Sequence, residues 1–154
     1  MTEVVGTAVL RDFPLRVWSR SRQHSDEVMR EFMLMLEGER SGQTSLDVPR
    51  ALVDLASMFT TQFGPLLDQL YATREQALAE GRDRMDSEVA LVPGTPELLT
   101  RVREVMEAVD EYCRTGDLLT LERDETQRQL FDWTLAELVA QYEGREPTAW
   151  PGPF

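Results

Sequence analysis

The sequence predicts an α+β fold, predominantly helical, with about five helices around a small two- or three-stranded sheet. Three observations predict it. Apolar residues recur at spacings of three and four through most of the chain, short β-rich runs lie near its start and middle, and Gly and Pro punctuate the gaps. A length of 154 residues is enough for one domain with a proper core.

Residues 4–10 and 15–18 are rich in β-formers, and Asp12-Phe13-Pro14 between them breaks any helix, so two short strands or one strand with an irregular lead-in are expected. A helix over 24–38 follows. Ser25 is its expected N-cap, Asp26 and Glu27 suit the positive end of its dipole, and Val28, Phe32, Met35 and Leu36 form its apolar face before Gly38 and Gly42. The polar stretch 40–47 reads as a loop. Pro49 fits a helix first turn after Asp47. Leu52, Leu55, Ala56, Phe59 and Phe63 continue that helix until Gly64-Pro65 breaks or kinks it. A further helix runs from about 65 to 81, with Leu67, Leu70, Tyr71 and Leu78 inward and Gly81 as its stop.

Residues 87–92 read as a strand turned by Pro93-Gly94. Thr95-Pro96-Glu97 then gives an N-cap, a proline at the first helical position and an acid. Leu99, Val102, Met106, Val109 and Cys113 form the stripe of that helix, ended by Gly116. A short apolar connector, 118–121, leads to Asp124 and Gln127, which resemble a capping box for a last helix over about 124–143. Its face holds Phe131, Leu135, Leu138 and Tyr142, and Gly144 stops it. Residues 1–144 are expected to form one globular domain, and 145–154 a tail holding Pro147, Trp150, Pro151 and Pro153.

Composition narrows the chemistry. All sixteen basic residues are arginine, and the chain has a single histidine, His24, and a single cysteine, Cys113. Schiff-base lysines and multi-histidine metal sites are excluded, and most nucleophile–base pairs with them. A net charge of −12 repels nucleic acid and anionic membranes. No apolar run is long enough for a transmembrane helix, and the first residues lack the pattern of a signal peptide. A lone cysteine forms no internal disulfide, and a cytoplasmic location is expected.

Several residues stand out beside plainer readings. Glu104, Glu107 and Glu111 flank an apolar stripe and read as a solvated face rather than a metal site. Cys113 reads as a core residue between Val109 and the closing helix, because a helix C-terminus raises a thiol pKa. The window from Arg11 to His24 holds four arginines against one acid. There Arg20, Arg22, His24 and Ser25 would form an anion site at a helix mouth, the plainer reading being ordinary ion pairs. Met33 lies off its helix's stripe and is a candidate partner contact, as is Trp150 in the tail. Trp150 is expected to fold back beside Trp133 in preference to docking on a partner. No catalytic residue, metal ligand or cofactor is assigned.

Phe13-Pro14-Leu15-Arg16, His24, Met29-Arg30-Glu31-Phe32, Asp110-Glu111-Tyr112-Cys113-Arg114, Leu118-Leu119-Thr120-Leu121 and the segment from Trp133 to Trp150 with Pro147 and Pro151 give the chain a likeness. It resembles small actinobacterial regulatory proteins encoded among stress-response signalling partners such as anti-sigma kinases, STAS-domain antagonists and PP2C-type phosphatases. It lacks the Asn-containing ATP motif and Gly-rich lid of the kinases and the metal-binding aspartates of the phosphatases. The resemblance therefore implies a cytoplasmic regulatory partner without chemistry of its own. The expected function is a non-enzymatic regulatory or protein-interaction module, with an anion-binding sensor domain as the alternative. A protein partner is expected, nucleic acid and membrane are not, and a homo-oligomer is compatible with the sequence.

Overall fold

A computed structural model describes residues 3–38, 46–115 and 119–154. Among them, four helices and a two-stranded antiparallel sheet follow in the order β1 (Gly6–Pro14), α1 (Leu15–Gly38), α2 (Asp47–Ala79), β2 (Arg84–Leu91), α3 (Thr95–Thr115) and α4 (Glu125–Tyr142). The fold is α+β and mostly helical, with four helices where the sequence suggested about five.

β1 pairs with β2 from Gly6 opposite Leu91 to Leu10 opposite Ser87, and the register shifts before Phe13 opposite Met85. The irregularity centres on Asp12, whose φ of 53° places a non-glycine residue in the left-handed region. Its N–H donates to Asp86 Oδ1 at 3.1 Å, which helps hold the bulge. Ala8, Leu10, Ser87 and Leu91 are buried on one face, and Thr7, Asp86 and Glu88 alternate onto the exposed one.

The segment 15–18 corrects the sequence reading: it opens a helix and is not a strand. Leu15 N–H donates to the Asp83 carbonyl at 3.0 Å, so the helix starts directly off β1. Helical spacing buries Leu15, Val17 and Trp18, with Trp18 tilted against Phe13 and Tyr71 at centroid distances of 6.5 and 6.0 Å. This burial outweighs a β preference that spans only about 1 kcal/mol. The helix expected to begin at Ser25 is the continuation of α1, so Ser25 is no N-cap. Gly42 and most of the 40–47 loop lie outside the described residues, as do Gly116 and Leu118.

α2 also departs from expectation, running unbroken through Gly64-Pro65. An interior proline costs about 3 kcal/mol. Both halves of the helix are anchored by packing. Leu55 belongs to a core with Val28, Phe32, Val105, Val109 and Cys113, and Ala77 belongs to a second core with Leu10, Phe13, Trp18, Met85, Leu138 and Trp150. Pro65 sits where α2 passes from one core to the other. Gly81, with φ 82°, closes α2 as expected: its N–H and that of Arg82 donate to the carbonyls of Leu78 and Ala77.

The last helix starts as its sequence signals indicate, although Tyr142, expected on its inward face, is exposed. Asp124 accepts from Gln127 N–H at 2.8 Å, and Gln127 Oε1 accepts from Asp124 N–H at 2.9 Å, completing the capping box. At the start of α3, Thr95 has a different role from that of an N-cap side chain. Its hydroxyl donates back to the Val92 carbonyl at 2.6 Å and ties the turn. After Gly144 the chain returns to the sheet, where Trp150 N–H donates to the Arg11 carbonyl at 3.0 Å.

Candidate functional site

The edge of β1 that faces away from β2 is covered at Val9 by a side chain and at Arg11 by the tail. Val9 N–H donates to Gln141 Oε1 at 2.8 Å, and Gln141 Nε2 donates to the Val9 carbonyl at 2.9 Å. The glutamine amide thus satisfies both main-chain groups, as a neighbouring strand would. Because Val9 turns these groups outward, Val9 opposite Glu88 is a non-hydrogen-bonded pair of the ladder. The alternation then directs the N–H and C=O of Glu88, and of Ala90 opposite Thr7, away from β1. Among the described residues, no strand lies on that side of β2.

A cleft of about 590 Å³ follows this open edge. Every residue from Met85 to Val92 lines it. A consecutive run cannot come from one face of a strand, whose side chains alternate, so the cleft wraps the edge. Its opposite wall is α2, through Phe59, Phe63, Leu66, Leu67 and Leu70, and the start of α3 adds Leu98 and Leu99. These side chains are half-buried, unlike the closed cores on either side. The lining is thus mainly apolar with a few polar groups, including Ser87, Thr73 and Gln69, and its charged members are Asp86 and Glu88. Volume and chemistry both match a binding cavity.

The residues singled out from sequence lie elsewhere. Arg20, Arg22, His24 and Ser25 are on α1, where no helix N-terminus is present to provide free N–H groups, and this removes the basis of the anion mouth. Spacings of two also divide the basic groups between faces. Arg20 pairs with Asp124 at 3.3 Å, and Arg22 pairs with Glu75 at 2.7 Å while covering the Tyr71 ring. His24 Nε2 lies 2.6 Å from the Leu121 carbonyl, so this nitrogen is the donor. His24 Nδ1 and Ser21 Oγ, one helical turn apart, are buried without a partner among the described residues. Ser25 is exposed. Met33 is 43% exposed beside Leu34 at 62%, apart from the cleft.

Trp150 is 4% exposed and folds back on its own chain. Its ring meets Trp133 edge-on at 5.4 Å, and its indole N–H donates to the Pro153 carbonyl at 2.7 Å. In this position it is closed to a partner.

Cys113 is buried as expected, but against Val28 and Phe32 of α1 and Leu55 of α2 rather than the closing helix. Burial, reinforced by Asp110, Glu31 and Glu122, pushes its thiol up to about 11, so it is protonated at neutral pH. Glu104, Glu107 and Glu111 are exposed as expected, and no grouping of metal-ligating side chains occurs among the described residues.

Sequence reasoning missed three polar arrangements, two of them buried. Arg123 and Asp110 form a bidentate pair, with a shortest contact of 2.7 Å. Glu31 accepts from the N–H groups of Leu119 and Thr120, at 3.0 and 2.6 Å, and from the Thr120 hydroxyl. Arg74 lies over the Phe13 ring at 4.0 Å and donates to Ser87 Oγ at 2.9 Å. Burial, with the nearby cation of Arg22 and against the effect of Tyr71, lowers its pKa to about 10, so it remains a cation at neutral pH. The cleft was missed as well. Its leucines look like ordinary core in sequence, although the stripe Phe59, Phe63, Leu66, Leu67, Leu70 crosses a proline where a packed helix would not need it.

Fold and site define a class: a helical α+β module with one sheet edge covered at Val9 and Arg11 and the other opening into an apolar cleft. Compared with protein-family models, curated proteins and solved structures, the chain matches none. No helix among the described residues is long and apolar enough to cross a membrane.

Proposed function

We propose that this chain is a non-enzymatic interaction module of bacterial cytoplasmic signalling that recognises another molecule in the cleft between β2 and α2. The observation that carries the proposal is the half-buried apolar wall facing an unpaired strand edge. Exposed apolar surface of this kind lowers its free energy by being covered. The polar chemistry of the chain supports the same reading. The Cys113 thiol is held protonated among carboxylates, His24 is tied to a main-chain carbonyl, and neither lines the cleft. The regulatory setting rests on the sequence resemblance alone.

Nile red, a neutral dye whose emission rises in apolar surroundings, tests the site. It is expected to bind the native protein saturably. Leu67→Arg, a change at a half-buried cleft wall, should abolish the signal while the far-UV spectrum and melting transition persist. Leu70→Asn serves as the milder check on folding. Emission that is absent in the native protein, or indifferent to both changes, overturns the proposal.

A further inference from the structure

We propose that the cleft takes an extended peptide segment of a partner protein, which adds to the open edge of β2 as a third strand and carries basic side chains among its apolar ones. This rests on the cleft being the binding site and specifies its occupant.

Three observations select a peptide. First, the unpaired main-chain groups of Glu88 and Ala90 open into the cleft. An added strand satisfies donors and acceptors in alternation along its length, which a compact apolar ligand cannot do. Second, every residue from Met85 to Val92 lines the cleft, so it runs nearly the length of β2. Third, the two edges of the sheet are treated differently. Gln141 and the Trp150 main chain occupy the β1 edge at Val9 and Arg11, whereas a wall of apolar side chains stands off from the β2 edge. An incoming strand would place alternate side chains toward Leu66, Leu67 and Leu70 on α2.

Charge selects the kind of peptide. Asp86 and Glu88 are the ionisable residues of the lining, and the whole chain carries −12. A segment with arginine or lysine at alternate positions is therefore favoured, both on approach and when seated. The same acids disfavour a second copy of this chain. Pairing two β2 edges would bring the Glu88 and Asp86 side chains of both copies together.

The test uses a short end-blocked peptide alternating arginine with valine and leucine, an acidic counterpart with glutamate in place of arginine, and an analogue of the first N-methylated along its backbone. Affinity is read by displacement of Nile red, and main-chain pairing by amide hydrogen exchange. The basic peptide should displace the dye and slow exchange at Glu88 and Ala90 by at least about tenfold. The N-methylated analogue should bind about tenfold or more weakly, for the loss of main-chain bonds, and the acidic one more weakly than the basic one. Glu88→Arg, an exposed change, should reverse the preference between basic and acidic peptides. Equal binding of the N-methylated analogue, or unprotected Glu88 and Ala90 amides at saturation, refutes strand addition while leaving the cleft a binding site. Equal binding of the acidic peptide refutes the basic partner. Protection of both amides with protein concentration alone, accompanied by dimerisation, transfers the edge to a second copy and overturns the proposal. Absence of Nile red binding from the start removes the cleft itself and the functional reading with it.

Discussion

Arg123 and Asp110 are both nearly excluded from water, at 6% and 5% exposure. Such a pair holds because the fork of the guanidinium matches the carboxylate and neither charge is left unpaired. Nothing in the sequence distinguishes Asp110 from the solvated acids on the same helix. Its partner lies across a connector, and spacing alone cannot reveal the contact. Cys113 was legible for the opposite reason, since an apolar stripe with a thiol on it implies burial whatever packs above. The raised thiol has a consequence for stability. Its pKa is about 11 in the folded chain against an ordinary 9.0, so the folded protein binds this proton more tightly than the unfolded chain. The contribution is full below about 9 and is lost as pH rises toward 11. Denaturant titrations of the native protein and of Cys113→Ala should show a steeper alkaline loss in the native protein. The same thiol should react with a disulfide reagent far more slowly than a small free thiol at neutral pH. Labelling at the rate of a free thiol would place Cys113 at the surface.

At the scale of elements, signals that act through the nearby backbone were legible, and those set by distant packing were not. Gly81, Gly144 and the Asp124–Gln127 box were all legible, because each acts through backbone geometry within a few residues. The start of α1 was not. Ser25-Asp26-Glu27 has the composition of an N-terminus, whereas the actual start at Leu15 is fixed by burial of Trp18 and by the distant Asp83 carbonyl. Pro65 misled in the same way, since the anchors on either side of it lie in different cores. The connector before α4 is held to α1 by Glu31. Burial raises the pKa of that carboxyl, but the hydroxyl and N–H of Thr120 with the N–H of Leu119 outweigh it and keep it below 4.5. A lowered carboxyl stabilises the fold above its unfolded pKa, and the contribution is lost as pH falls through 4.5 and below. Protection of the Leu119 and Thr120 amides, relative to their intrinsic exchange rates at each pH, should fall over that acid range. Glu31→Gln should show the lower protection already at neutral pH and lose about 1–2 kcal/mol of stability, the worth of charge-assisted bonds. Unaltered exchange in the variant would show that other contacts hold the connector.

For the whole molecule, the fold class was legible from periodicity, as was the return of the tail, because an indole beside prolines must find cover. Trp150→Ala should therefore lower the unfolding free energy by about 3–5 kcal/mol, and an unchanged denaturation midpoint would contradict the fold-back. The cleft was not legible. It arises between two cores whose separation depends on how α2 spans them, and no local signal encodes that distance. The amide of Gln141 bears on more than the strand it touches. A sheet open on both sides can be extended indefinitely, each added chain offering its own far edge to the next. Here growth on the β1 side meets a side chain already in place. The Gln141 amide therefore works against head-to-tail stacking of copies through this sheet, which would need both edges free.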